Sequence, residues 1–498
     1  MTTHFEQESH PFHHAFLAFS SLVESLAGDS FAREEHGVLE EFISSRALEL
    51  QRLLLQAHLD SRGDSSAGED VKTAQGLVLT HKRRSKTTLH SLFGKVHVDR
   101  VTYTKPAARA LAPRDAELNL PRFSYSHGVT KLATRWCASQ SYEWVRDELR
   151  LLTGARPGKR QLQQLCEHTA QDFQDFYRQR QPPPAREDLL VLSFDAKGVA
   201  MHNDSLRPQT RSKAGNHGRC KRMANCAAVY SIERHRRSVD QILGELANEE
   251  SQSERPEPVN KRVWSSLELP KRELLASGIE EARRRDPNQE KEWVCLLDGD
   301  PSQLQGAQAE MEKQGCKATF ILDLFHVQLY LWQAGHALYP KDAEQAGEWV
   351  QTMSRELLER GPGRVMQLMK ADAMLQRVSR QRWEEIKTAQ EYLWVYQHYL
   401  DYPTYLAKGY PLASGVIEGV CRYVVKDRMA KTGAVWHLAG AESILKLRSL
   451  WSSHDFEEYW AFHLSQESLR NHKQRYWSHA PPATLGSNEG SSLISLVA

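Results

Sequence analysis

The seven cysteines (Cys137, Cys166, Cys220, Cys226, Cys295, Cys316 and Cys421) include no CxxC pair. That rules out zinc-finger spacing and argues against a secreted disulfide framework, which fits a reducing cytosol. Cys220 and Cys226, with His217 nearby, lack a second ligand pair and read as structural. No apolar window is long enough to span a bilayer, and the N-terminus is polar and His-rich. A cytoplasmic protein without a membrane partner is therefore expected. Neither sign of charge dominates: 65 Lys and Arg face 63 Asp and Glu, for a formal charge of +2 over 498 residues. Any surface for a polyanion must come from local clustering. No internal repeat is visible.

What is present is a chain long enough for two or three units. Residues 1–62 read as helical, with Leu39, Phe42, Ile43, Leu50, Leu53 and Leu54 forming one apolar stripe. Within 63–125 the cluster Lys82, Arg83, Arg84 and Lys86 precedes a hairpin around Gly94-Lys95, in which Val96, Val98 and Arg100 alternate with His97, Asp99 and Val101. Residues 126–181 return to helix. Two of their segments flank a break at 153–158 in a layout like a helix-turn-helix, with Lys159 and Arg160 opening the second helix. Such pairs are more often plain packing units. Pro182-Pro183-Pro184 ends that region. From 185 to 326, strands at Leu189–Val199, Cys226–Ile232 and Arg262–Leu269 precede an alternation of helices and strands, with strands at Trp293–Leu297 and Thr319–Leu322. This is the pattern of an α+β or α/β core, a mixed sheet flanked by helices. Residues 327–407 read as a helical insertion with Trp332, Trp349, Trp383 and Trp394 in its core. Residues 408–478 return to the core, and 479–498 read as a disordered tail.

Two acids end apolar strands: Asp195 after Leu189–Phe194, and Asp298 after Trp293–Leu297. An acid there can serve a site without disturbing the core. Asp300 competes with Asp298 for the second position. Glu418 opens a helix, with Ser414 as its expected cap. Two strand aspartates and a helical glutamate suit a two-metal phosphoryl-transfer site, in which Mg2+ is held by carboxylate oxygens. Arg422 and Lys426 follow on the same helix face, then Arg428 and Lys431. Between Met201 and Asp240, nine Lys or Arg, among them Arg219, Lys221 and Arg222, face three acids. Asp323 and His326 end the next strand as candidate partners behind the metal ligands. Trp436 is a candidate for stacking on an unpaired base, though tryptophan is more often core.

The segments around these acids resemble the ISKra-type family of bacterial insertion-sequence transposases, which are DDE transposases. The resemblance rests on Ser193-Phe194-Asp195-Ala196-Lys197-Gly198-Val199, Lys221-Arg222-Met223-Ala224, Ala228-Val229-Tyr230, Asp286-Pro287, and Leu297-Asp298-Gly299. It continues through Asp323-Leu324-Phe325-His326-Val327, Tyr330-Leu331-Trp332, Tyr402-Pro403-Thr404 and the stretch from Ser414 to Arg448. It runs from about Leu189 to Tyr476, and more loosely into the hairpin. It implies an RNase H-like core, Mg2+ dependence with Mn2+ as a substitute, and cleavage and strand transfer at the terminal inverted repeats of a mobile element. Asp195, Asp298 and Glu418 take the DDE positions. The implied partners are double-stranded DNA and a second copy of the chain, in the bacterial nucleoid. One departure is Ala196, where the family has glycine. Competing expectations are a transposase-derived DNA-binding regulator without catalysis and a nuclease that cuts without joining.

Overall fold

The computed structural model describes residues 10–63, 65–214, 220–247 and 255–484. The chain divides into two compact units, one of Met1–Asp172 with Glu457–Ala498, the other of Phe173–Phe456. The division therefore falls ahead of the three prolines, and the end of the chain belongs with its beginning.

In the first unit α1 (His13–Ala27) and α2 (His36–Ser61) form the expected helical start. Of the apolar stripe on α2, Leu39, Phe42, Leu50 and Leu53 are half-buried while Ile43 and Leu54 are exposed. The short strands β1 (Val71–Lys72) and β2 (Val78–Leu79) pair, and β3 (His81–Ser91) and β4 (Gly94–Thr104) make the hairpin. The basic cluster lies inside β3 rather than ahead of it. That half of the ribbon is exposed on both faces, so no apolar alternation marks it as strand. The alternation in β4 also changes phase. Val96 and Val98 are buried as expected, but next come Val101 and Tyr103, in a cluster with Val71, Leu79, Leu111 and Tyr476. Arg100 is left half-buried against Asp115. After α3 (Pro113–Glu117), α4 (His127–Cys137), α5 (Tyr142–Thr153) and α6 (Lys159–Thr169) pack on one another. Ser141 caps α5 by accepting from Trp144 N–H (3.2 Å), and Gly154 ends it in the left-handed region at φ 68°. Two packed helices joined by a turn thus stand at the expected place.

The second unit starts with α7 (Phe173–Gln179) and is built on five strands: β5 (Leu189–Ala200), β6 (Lys221–Ile232), β7 (Val259–Ser266), β8 (Glu292–Leu297) and β9 (Thr319–Leu322). Their order is β7-β6-β5-β8-β9. β6 runs antiparallel to its neighbours β7 and β5, and β8 and β9 run parallel to β5. β5 is the middle strand, and residues Leu189–Phe194 are buried without a break, as a strand covered on both faces requires. Helices α8 (Pro208–Ala214) and α9 (Val239–Leu246) lie in the β5–β6 and β6–β7 connections, while α10 (Lys271–Arg285) and α11 (Pro301–Lys313) flank β8. Gly278 lets α10 approach the sheet: a Cβ there would lie 2.5 Å from the ring of Phe194. Because strand residues alternate faces, Asp195 points to the side of the sheet opposite that ring.

The insertion is helical as expected: α12 (Leu324–Leu338), α13 (Ala343–Arg360), α14 (Pro362–Leu375), α15 (Arg380–Tyr396) and α16 (Tyr402–Lys408). Its tryptophans form only part of its core. Trp349 is buried and donates to Asp372 (2.7 Å), Trp383 is half-buried, and Trp332 and Trp394 are exposed. Aliphatic and tyrosine side chains fill the rest of the interior, among them Leu357, Val365, Ile386, Tyr392 and Leu393. Then follow α17 (Gly415–Gly419), a π-helical segment Val420–Lys426, α18 (Asp427–Met429) and α19 (Leu438–Ser452), which packs on β7. Helix α20 (Phe456–Glu467) carries the chain back into the first unit. Among the described residues no helix is long and apolar enough to cross a membrane. The seven cysteines are free thiols.

Candidate active site

Every pair in the β5–β8 register, from Leu189↔Glu292 to Ser193↔Leu296, has the offset that also separates Asp195 from Asp298. The two aspartates therefore stand level, two positions past the last pair, Asp298 beyond the end of β8 and Asp195 still paired with β6. Ser193 ties the strands together just below them, its hydroxyl donating to Leu296 O (3.1 Å). The same relation holds one strand further on. Asp323 stands one position past Leu297↔Leu322, and its N–H donates to Leu297 O (2.8 Å). Asp298 and Asp323 thus stand just past the carboxyl ends of β8 and β9, where open α/β sheets bind ligands, and Asp195 lies level with them on β5, which runs on to Ala200.

Asp298 accepts from Asp300 N–H (3.0 Å). The rival Asp300 is engaged elsewhere: it caps α11 by accepting from Gln303 N–H (2.9 Å) and pairs with Lys271 (3.1 Å). Beside Asp298 stand two tyrosines of α15 that the sequence did not single out. Tyr396 donates to Gly299 O (2.9 Å). The Tyr392 hydroxyl is buried without a hydrogen-bond partner, and its phenol is pushed up by burial and by surrounding negative groups that include Asp298 and Asp323.

Glu418 reaches the row from α17. Ser414 does not cap that helix through its side chain. Instead its N–H (2.8 Å) and its hydroxyl both donate to Asp323 Oδ2, while Asp323 Oδ1 accepts from Phe325 N–H (2.7 Å). Asp323 is fully buried. Its carboxylate is largely occupied in fixing where α17 begins. Asp323, His326 and Glu418 each bring a ligand atom to within 4.8 Å of the others. Burial pushes the Glu418 carboxyl above its ordinary value, the charges of Asp323 and Asp195 add to that, and His326 opposes it. A divalent cation would relieve this crowding of negative charge, and carboxylate oxygens are the donors that hard cations prefer.

Cys421 was missed. Its thiol donates to Asp195 Oδ2 (3.1 Å), and Ala196 N–H donates to the other oxygen (2.6 Å). A hydrogen bond with Cys226, burial and the charge of Asp195 push this thiol far up, so it stays a neutral donor. Cys226 is the register partner of Asp195 on β6. The one signal available was spacing, since Cys421 lies three residues after Glu418.

The candidate DNA contacts divide by exposure. Arg422 and Lys426 are exposed like Glu418, and so is Lys221. Lys197, Lys221 and Lys426 border a cavity of about 290 Å³ with a mostly apolar lining. Arg222 is held by carbonyls, donating to Leu267 O (2.8 Å) and Ser205 O (2.9 Å). Two expectations are corrected. Arg428 is buried, its guanidinium 4.7 Å from the Trp436 ring centre, and Trp436 is itself buried with its indole N–H on Met429 O (3.0 Å). Both belong to the packing beneath the site, not to a DNA-facing surface. Arg219 and His217 lie outside the described residues. Lys82, Arg83, Arg84 and Lys86 on β3, and Lys159 and Arg160 on α6, are exposed in the first unit, where Lys159 pairs with Glu143. No protein-family model and no curated protein matches the chain.

Proposed function

We propose that the chain is a DDE transposase of the ISKra type, with an RNase H-like second unit that cuts and joins DNA. The observation that carries this reading is the level placement of Asp195 and Asp298 on neighbouring parallel strands, with Glu418 brought to the same row by a separate helix. The mixed sheet with its first strand in the middle supports the same reading. Asp195, Asp298 and Glu418 would hold Mg2+, which would supply Lewis acidity at the scissile phosphate.

The chain's own part is positioning and charge. Asp195, Asp298 and Glu418 offer hard oxygen ligands. The Cys421 thiol and the Ala196 N–H orient the Asp195 carboxylate, and Asp323 fixes the start of the helix that carries Glu418. Arg422 and Lys426, exposed beside Glu418, grip the phosphate backbone. No covalent protein–DNA bond is required. The 3′-hydroxyl released by cleavage is held in line to attack target DNA at the same centre. In the first unit, α5–α6 and the basic half of β3 are the surfaces for the element ends.

The test is cleavage of a labelled duplex carrying the terminal repeat of the element, by wild type, Asp195→Asn and Glu418→Gln, with Mg2+ and with EDTA. Metal-dependent nicking at the repeat boundary, lost in both variants while binding persists, is the expected result. Tight binding with no cut under any divalent metal would leave a DNA-binding regulator. Cleavage that survives both substitutions would remove the carboxylate assignment.

A further inference from the structure

A second cluster lies in the first unit. His463 and Glu467 sit four residues apart on one face of α20, and both are 1% exposed. His168, near the end of α6, faces them. Its Nε2 lies 2.7 Å from Glu467 Oε2, and the ligand atoms of the three residues fall within 4.8 Å of one another. The His463 ring is oriented from behind, with Nδ1 2.7 Å from Asp172 Oδ2. Where that carboxylate accepts the ring proton from Nδ1, Nε2 is left with a lone pair to give, in a side chain that is almost wholly buried. Carboxylate, then histidine, then open nitrogen is the arrangement found behind metal-bound imidazoles.

We propose that His168, His463 and Glu467 bind a transition-metal cation of the zinc class, with Asp172 as the residue that positions His463. Two imidazole nitrogens and one carboxylate oxygen suit Zn2+, whereas Mg2+ prefers oxygen donors in an octahedron. The lone pairs of His168 and Glu467 that converge on a shared proton converge equally on an ion in its place. Arg470 pairs with Asp172 (2.9 Å) and Glu467 (2.6 Å), and Asn471 (2.8 Å) and Gln171 (3.3 Å) also donate to Glu467, which keeps both acids ionised. The ion joins α6 to α20, segments from opposite ends of the chain. The proposal does not depend on how the strand-end acids are read.

The experiment uses the full chain with His326→Ala and Glu418→Gln, so that the other cluster contributes no binding. After chelation, Zn2+ loading and desalting, metal content is measured by mass spectrometry, and the Co2+-loaded form is examined for ligand-field absorption. One retained equivalent, an intense low-symmetry Co2+ band and a higher melting temperature with Zn2+ are expected. Asp172→Asn should weaken retention about 10–100-fold, and His168→Gln, whose site is partly exposed, should abolish it. A protein that retains no Zn2+ and gives no Co2+ band overturns the proposal whatever the variants do, leaving a network of ion pairs. Retention unchanged in His168→Gln overturns it equally.

Discussion

Asp323 accepts both the N–H and the hydroxyl of Ser414, which joins the end of β9 to the residue four positions before Glu418. The acid in the middle of the site therefore acts on the geometry of another acid. Asp323→Asn puts an amide donor where two donors already point. It should lower stability by about 1–3 kcal/mol, and metal-dependent cleavage should fall further than that loss explains. Ser414→Ala removes only the hydroxyl and should cost about 1 kcal/mol. Urea midpoints, together with cleavage rates measured well below each midpoint, separate the two effects. Equal behaviour of the two variants would show that Asp323 does not anchor α17.

Two arginines six positions apart should fail in different ways. Arg422→Ala should leave the melting temperature unchanged, weaken DNA binding regardless of sequence and reduce the salt slope by about 1. Arg428→Ala empties the space beside Trp436 and should lower stability by about 1–3 kcal/mol, with the salt slope kept in the fraction that remains folded. Fluorescence binding titrations at several salt concentrations, paired with melts, distinguish them.

The pH dependence of stability should carry the mark of Glu281. This buried carboxylate pairs with Arg262 and with Arg285 (2.8 Å), and Arg262 lies 3.6 Å over the Tyr177 ring. Burial works against the charged form, but the two guanidinium groups prevail and hold the carboxyl below its ordinary value of 4.5. A carboxyl lowered in the folded state stabilises fully above its unfolded value, and that stability is lost as pH falls from there through the folded value. Wild type should therefore lose stability below about pH 4.5. Glu281→Gln should show a weaker acid slope and should be about 3–5 kcal/mol less stable at pH 7, because two buried cations lose their partner. Urea titrations from pH 3 to 7 test both statements.

The sheet was legible because its strands are continuous apolar runs, and the acids Asp195 and Asp298 were legible because each ends such a run. That they stand level was not, since register depends on pairing between segments far apart in the chain. Tyr392, Tyr396 and Cys421 were hidden for the same reason. The phase change at Val101 was hidden because Tyr476, part of the cluster that buries it, comes from the other end of the chain. The cluster at His168, His463 and Glu467 shows in the sequence only as a four-residue spacing, which any helix offers by chance. Arg428 looked like its neighbours Arg422 and Lys426 because charge was counted without the helical phase that buries it.

The segment Val420–Lys426 closes its turns one residue wider than an α-helix does. Such a turn behaves as an insertion that a helix has absorbed, and helices carry it mostly at functional sites because it costs stability. The length of this stretch is thus as much a part of the design as its residue types. Removing one residue between Cys421 and Lys426 would let the segment relax to the ordinary pitch while the flanking turns keep their phase. The chain would keep each of its acids, and only the spacing that the wide turn gives to the side chains within it would be lost.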